Sequence, residues 1–572
     1  MAEEFIRGPK APKDPTKKRP GFCIMRNKQV AGSPQPDGTG IQFIYESDGR
    51  LLDAAKLAGK IEDESMIELL KTTESFRKLV HSIGVSVESE DGEDVGFAFQ
   101  MYGKSDPYAS GTTLKMSVTG DGMEYILNLD EAEWSDDDNV PGQIRFHFKK
   151  AGDLGKATVR LYLNDGFTAP EEEDDNPVNF DSPEYSEMIK KSLMNKGNNV
   201  RIKRAIDKAR RGEDVTLAFI GGSITQGAGA IPINKECYAR KIFEGFCKMT
   251  GRGTSENVHY VKAGVGGTPS ELGMLRYERD VLGEGKVKPD LVVVEFAVND
   301  EGDETRGECF DSLVRKIYNG PGSPAVVLLY AVFSNDFNLQ DRLSPVGFAY
   351  NLPMVSTLNS VKDQFYLKSG EGRVVSKSQY FYDCFHPTNV GHTIMADGVL
   401  NLLSLCDNEP YHKEEVNISE ITPPIGGEFE NVILMDKAVN TVGAKIECGD
   451  FADTDTVLQA VERNMDLSHT PQFPNNWFFK GDAQKAGAPL KLDVECSALL
   501  VIFKDSADPK DGNAEVYVDG KKVIDFDPHV VGWVHCNPII ALRGAKLQNH
   551  HVEIKPVDVT KNVTVLGFGV CK

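Results

Sequence analysis

The chain has 572 residues, with 64 Lys and Arg against 86 Asp and Glu, a formal net charge of −22, and 40% hydrophobic residues. That length suits three or four domains of ordinary size, and the acidic field repels a phosphate backbone, so no nucleic-acid partner is expected. No stretch approaches the ~20 consecutive apolar residues of a bilayer span and the first residues lack the apolar centre of a secretory signal, so no membrane association is expected and the chain reads as cytoplasmic.

Residues 1–30 are polar and Pro-rich and read as a poorly ordered tail. Residues 31–175 read as a β-rich module. Leu114, Met116 and Val118 fall on one face and are followed by the turn signal Gly120-Asp121-Gly122; Ile144, Phe146 and Phe148, then Val159, Leu161 and Leu163, repeat the pattern. Period two with Gly/Asp punctuation predicts an antiparallel sandwich. Within this module 53–79 reads as partly helical, and 171–175 as an acidic linker.

At Ser182-Pro183, a cap followed by Pro at the first helical position, the pattern changes. Apolar runs at 215–220, 291–296 and 325–330 read as buried strands, with helical segments at 237–249, 270–281, 305–318 and 388–403. Buried strands separated by helices predict a parallel sheet covered on both faces, within a module spanning 176–415. The basic run 203–211 has helical spacing and reads as a solvated helix face. After Pro423-Pro424 the strand pattern returns: Leu499 to Phe503 is apolar, Val516-Tyr517-Val518 leads into the hairpin signal Asp519-Gly520, and 552–554 and 563–570 follow, a second β-sandwich over 416–572. The ten cysteines include no C-x-x-C pair and read as reduced, mostly buried thiols.

The middle module carries the chemistry. The strand 215–220 runs into Gly221-Gly222-Ser223-Ile224-Thr225-Gln226-Gly227, which places Ser223 at a strand end among glycines and before a helix. In open α/β sheets sites form there. Taken alone the segment is equally a plain Gly-rich turn; the Gly-Lys-Ser/Thr ending of a phosphate loop is missing. A second strand–loop reads Tyr260 to Thr268 with adjacent Gly266 and Gly267, able to present a backbone N–H. The third ends in Ala297-Val298-Asn299-Asp300, where an Asn side chain can donate to an oxyanion. Asp383 precedes His386 by three residues, a spacing that lets the carboxylate hold one imidazole nitrogen and leaves the other for the serine. His386 and His392 lack a third ligand, so no metal is expected; His392 reads as a packed or surface residue.

Four such blocks, Ser, Gly, Asn and His in that order, resemble the SGNH/GDSL hydrolases over about 240 residues. The resemblance implies a three-layer α/β/α domain with a parallel sheet, here flanked by N-terminal and C-terminal β-sandwich (jelly-roll-like) modules. It implies Ser223 as nucleophile, Asp383 and His386 as the rest of a triad, and an oxyanion hole from the Ser223 N–H, the Gly267 N–H and the Asn299 side chain, without cofactor. Two departures stand out. Gly222 replaces the acidic residue of the usual Gly-Asp-Ser-Leu block, and Lys262 stands where an Asn is usual. Gly266 and Gly267 compete for the oxyanion role, with Gly267 favoured by the register of Ser270 and Gly273.

Family members cleave lipid esters, thioesters and sugar acetates. Flanking β modules commonly accompany the carbohydrate-active members, no apolar lid is visible, and Trp477-Phe478-Phe479 and Gly532-Trp533 offer aromatics either for stacking on sugars or for core packing. The expected activity is therefore removal of O-acetyl groups from oligosaccharides or polysaccharides through an acyl-enzyme. The competing readings are a lipid or small-ester hydrolase, an acyltransferase, and a non-catalytic sugar-binding protein. The flanking modules either shape the cleft or form a homo-oligomer interface.

Overall fold

The computed structural model describes residues 19–45, 49–170, 175–251, 256–463 and 466–572. At its centre a six-stranded sheet runs in the order Leu193–Asn195, Met354–Ser356, Ala325–Tyr330, Leu291–Glu295, Val215–Gly221 and Val258–Gly264. Neighbours are parallel except at the edge, where Leu193–Asn195 opposes Met354–Ser356. The three apolar runs are adjacent inner strands, and their continuity has a simple cause: alternate residues serve two cores. Ile220, Val294 and Leu328 face one core with Leu275 and Leu313, whereas Phe219, Val293 and Val327 face another with Ile206, Phe246 and Leu402. Helices Ser270–Asp280 and Glu308–Tyr318 thus cover one face, and Val200–Arg211, Tyr238–Met249 and Asn389–Asn408 the other. The strand Val215–Gly221 lies between the strand that follows it in sequence and the next one, Leu291–Glu295. The chain therefore reverses direction across the sheet at the strand leading to Ser223, where α/β sheets open a crevice. The basic run is helical and only partly solvated: Arg210 and Arg211 are exposed, Arg210 pairing with Asp407, whereas Lys208 is half-buried against Asp290 and buried Lys203 donates from Nζ to the Asp407 carbonyl.

The N-terminal module is a sandwich of two antiparallel sheets. One is ordered Gly21–Ala31, Leu154–Leu163, Val80–Ser89, Tyr125–Asn128; the other Ser33–Pro34, Gly40–Tyr45, Asp138–Phe148, Val95–Gly103, Thr113–Val118. Helices Arg50–Leu57, Glu64–Leu69 and Thr73–Leu79 fill the partly helical stretch. The expected tail needs correction. Its first 18 residues lie outside the described residues, but Gly21–Ala31 is a strand with Phe22, Cys23, Ile24 and Val30 buried. The Pro- and Lys-rich opening hid the apolar set beginning at Phe22. Of the acidic linker 171–175, only Asp175 is described, and it accepts hydrogen bonds from Arg373, Ser376 and Ser378 of the middle module.

The C-terminal module also pairs two sheets. One holds Ile433–Met435, Val563–Cys571, Ala498–Asp505 and His535–Leu542, with Trp477–Phe479 alongside Val563–Cys571; the other holds Lys445–Glu447, Leu490–Cys496, Gln548–Pro556, Ala514–Val518 and Lys521–Phe526. In the strand Ala498–Asp505, Leu499, Val501 and Phe503 enter the sandwich core, while Leu500 and Ile502 join the core that contains helix Ser270–Asp280. This strand is buried on both faces, which is why 498–503 is apolar throughout rather than alternating. None of the ten cysteines is joined in a disulfide, and eight are buried. Among the described residues no helix is long and apolar enough to cross a membrane.

Candidate active site

The strand Val215–Gly221 ends in a turn that opens the short helix Ser223–Gln226. On the far side of the same sheet end, the loop before helix Asn389–Asn408 brings Asp383 and His386 to Ser223. His386 Nε2 lies 3.0 Å from Ser223 Oγ, and His386 Nδ1 lies 2.8 and 3.0 Å from the two Asp383 carboxylate oxygens. Asp383 Oδ1 also accepts the N–H groups of Phe385 (2.8 Å) and His386 (2.7 Å). Burial works to raise the Asp383 carboxyl, but the His386 charge and the hydrogen bonds from His386 and Phe385 outweigh it and hold the group at about 2. A fixed carboxylate on Nδ1 leaves Nε2 to take a proton from the serine. The three residues expected as a triad are therefore brought together.

Of the expected oxyanion elements, the Gly266-Gly267 loop comes to Ser223 at Gly266, and Asn299 reaches the adjoining Gly222. A Cβ built on Gly266 would sit 3.8 Å from Ser223 Cβ, whereas one on Gly267 would meet Trp533 at 2.7 Å. Gly267 adopts φ +70, so a side chain is excluded there twice over. Asn299 lies over Gly222: a Cβ at 222 would come within 2.2 Å of Asn299 Oδ1. The variant first block thus has a local cause, since Gly222 makes room for the Asn299 amide beside Ser223. Asn299 Oδ1 is buried and has no hydrogen-bond partner among the described residues. Asp300 ties the two blocks together, accepting Ser270 N at 2.7 Å and Ser270 Oγ at 2.9 Å. The other departure, Lys262, is buried and donates from Nζ to the carbonyl of Gln226 (2.8 Å), bracing the end of the Ser223 helix.

Several neighbours escaped the sequence reading. Glu295, the last residue of its strand, accepts Thr225 Oγ1 at 3.1 Å beneath the Ser223 turn, and Thr225 Oγ1 is 2.7 Å from Tyr238 Oη. Burial pushes the Glu295 carboxyl up to about 7. The C-terminal module holds the Gly266-Gly267 loop. Gln459 donates to Gly266 O at 2.8 Å and accepts Cys536 N at 3.0 Å; His535 Nε2 is 3.1 Å from Gly267 O, its Nδ1 2.9 Å from Asp505. These residues lie some 190 to 270 positions from the loop they hold, so no local pattern reveals them. Of the aromatics singled out in the sequence, Trp477 and Phe479 are core residues, whereas Trp533 is 43% exposed beside Gly267.

His392 does not join the triad. Its Nδ1 accepts the Tyr238 N–H (3.2 Å), which leaves Nε2 to donate to Ala228 O (3.1 Å), and burial drives its pKa down to about 3. With both nitrogens engaged it cannot share a metal with His386. A separate group, Glu271, Asp303 and Cys309, places ligand atoms within 4.8 Å of one another. Burial and the neighbouring Asp303 and Glu304 charges push the Glu271 carboxyl well above its ordinary range, which suits a proton shared between two carboxyls.

No protein-family model and no curated protein sequence matches the chain. Solved structures do. A two-domain esterase active on acetylated mannans superposes with a TM-score of 0.56 at 27% identity, covering 67% of this chain and 99% of that one. The same esterase co-crystallised with mannopentaose gives the same score and identity. An acetyl xylan esterase from Geobacillus stearothermophilus matches at 18% identity and a TM-score of 0.26, over 34% of this chain and 96% of its own. A third of this chain lies outside the superposition on the mannan-active esterase.

Proposed function

We propose that this chain, which resembles the SGNH carbohydrate esterases, is a carboxylic ester hydrolase that removes O-acetyl groups from polysaccharide-derived oligosaccharides through a Ser223–His386–Asp383 triad. The observation that carries the reading is the hydrogen-bonded array of Ser223, His386 and Asp383 at the carboxyl end of a parallel sheet. In this reading His386 takes the Ser223 proton as Oγ attacks the acetyl carbonyl. The tetrahedral oxyanion is met by the N–H groups of Ser223 and Gly267 and by the Asn299 amide. His386 then returns the proton to the departing sugar hydroxyl. A water deprotonated by His386 releases acetate from Ser223, and Asp383 steadies the imidazolium in both halves. Each proton is carried by the chain itself, so the scheme needs no cofactor.

A carbohydrate alcohol is supported by two features. The mannan-active esterase resembles this chain over nearly its whole length. Trp533, an exposed indole held beside the Gly267 loop, offers a flat apolar face of the kind that stacks on a sugar ring. The test is acetate release from acetylated mannan, xylan and pectin oligomers, with Ser223→Ala as control and 4-nitrophenyl esters of increasing chain length beside them. Activity should centre on acetyl groups and vanish in Ser223→Ala. Equal slow release by both proteins refutes the enzyme reading, and rates that rise with acyl length refute the acetyl specificity.

A further inference from the structure

The N-terminal module meets the middle one behind the Asp383–His386 loop. Its strand Gly21–Ala31 is the edge of a sheet, and its register against Leu154–Leu163 slips between Met25 and Lys28, with Asn27 at φ 46. Such bulges re-aim the side chain that follows. Lys28 is turned across the interface and is only 5% exposed. Its Nζ donates to the carbonyl of Ser378 at 2.9 Å and to that of Phe381. Phe381 opens the loop of interest: it bridges to Pro387, and Tyr382 N donates to His386 O at 2.7 Å, so Asp383 and His386 sit in a tight excursion whose base carries the carbonyl that Lys28 grips. Across the same interface, burial and the nearby Asp53 carboxylate of helix Arg50–Leu57 push the Cys384 thiol up. Beside these ties lies a cavity of about 100 Å³, with Met25, Ala54, Leu57, Tyr382, Asp383 and Cys384 among its walls. Phe381 itself is packed in a core with Val361, Tyr380 and Ile394, but toward the N-terminal module the loop borders this cavity, and there Lys28 supplies the polar tie.

Burying a lysine is costly, and burial pulls Lys28 down to about 7 although Asp383 and Asp175 pull the other way. An apolar side chain would fill this interface without that penalty but would give up both hydrogen bonds to the base of the loop.

We propose that the N-terminal module is a working part of the active site, with Lys28 as a positioning residue that holds the Asp383–His386 loop through the Phe381 and Ser378 carbonyls. This rests on the hydrolase reading above.

The experiment compares the full-length protein with Lys28→Met, Lys28→Gln and Val30→Ala, the last a fully buried residue of the same strand and a control for loss of stability alone. Hydrolysis of 4-nitrophenyl acetate gives kcat and KM, and the labelling rate of Ser223 by a fluorophosphonate, followed against pH, reports the activation of the serine directly. Because ångström-scale misplacement of a reacting group costs ~10- to 100-fold, Lys28→Met should lower kcat by that factor with KM within about twofold, and labelling should slow in parallel. Lys28→Gln, whose amide stops one bond short of the Nζ position, should lose about three- to tenfold, and it carries the test alone if Lys28→Met does not fold. Val30→Ala should lower the thermal midpoint but keep kcat. Wild-type kcat in either Lys28 variant, or the same kcat loss in Val30→Ala, overturns the proposal. A wild type that is neither labelled nor active would instead refute the hydrolase reading itself.

Discussion

Replacing Glu295 by Gln should change how stability depends on pH, by an amount the structure sets. Glu295 ends the strand beside the Ser223 turn, fully buried, with Oε2 on Thr225 and Oε1 without a partner among the described residues. Burial raises its carboxyl from an ordinary 4.5 to about 7. A carboxyl raised in the fold adds stability that is fully present below its ordinary value and is lost as pH climbs through the raised one. The difference of about 2.5 in pKa, at ~1.4 kcal/mol each, makes the loss roughly 3 kcal/mol. Most of it falls between pH 5 and pH 8. Gln cannot ionise, so the variant escapes this loss whatever its constant cost from a different hydrogen-bond pattern. Urea unfolding of wild type and Glu295→Gln, followed at both pH values, isolates the pH-dependent part. The wild type should weaken relative to the variant by roughly 2–3 kcal/mol on going from pH 5 to pH 8. If the gap between the two proteins is the same at both pH values, Glu295 is ionised at an ordinary pKa and the burial argument is wrong.

The site makes further predictions. Gly222→Ala should cost at least ~10²-fold in kcat, because its Cβ would displace the Asn299 amide, which loses one oxyanion donor; near-normal rates would show that Asn299 does not act there. Gln459→Ala and His535→Ala should lower kcat ~10-fold or more on small acetyl esters and on acetylated oligosaccharides alike, since both hold the Gly266-Gly267 loop; an effect confined to the large substrate would assign them to sugar binding instead. Trp533→Ala should show the opposite split, with KM rising for oligosaccharides and kcat on 4-nitrophenyl acetate nearly unchanged. Leu500→Ala should destabilise by roughly 2–5 kcal/mol, because it opens a cavity in a core shared by the middle and C-terminal modules, and the two should unfold in one transition.

The middle module was the most legible part of the chain. Its strands are short apolar runs, and its first helix announces itself with Ser182-Pro183, where Ser182 accepts the Tyr185 N–H as a cap should; Thr388, read only as the start of a helical segment, proves to be a cap as well. Local chemistry of this kind is written in neighbouring residues. The pairing of Asp383 with His386 was legible for the same reason, since three residues of spacing within one loop suffice to bring carboxylate and imidazole into contact. The Gly-rich turn at Ser223, by contrast, was ambiguous by itself and gained its meaning from blocks far along the chain.

What escaped the sequence depends on which module faces which. Gly21–Ala31 read as tail because composition averaged over the first 30 residues is dominated by Lys and Pro, and nothing local shows that a strand partner waits at Leu154–Leu163. The apolar run at Leu499 to Phe503 predicted a strand, but only docking against helix Ser270–Asp280 decided that both its faces are buried. Lys28, Gln459 and His535 look like any polar residues of strands or loops, yet each reaches a backbone carbonyl beside the serine or the histidine across 190 to 353 positions of sequence. The sequence by itself determined the order of the chemical groups and the elements that carry them. The tertiary structure alone decided that the flanking modules grip the two loops on which those groups stand, because a hydrogen bond to a carbonyl oxygen leaves no trace in the identity of the residue that accepts it.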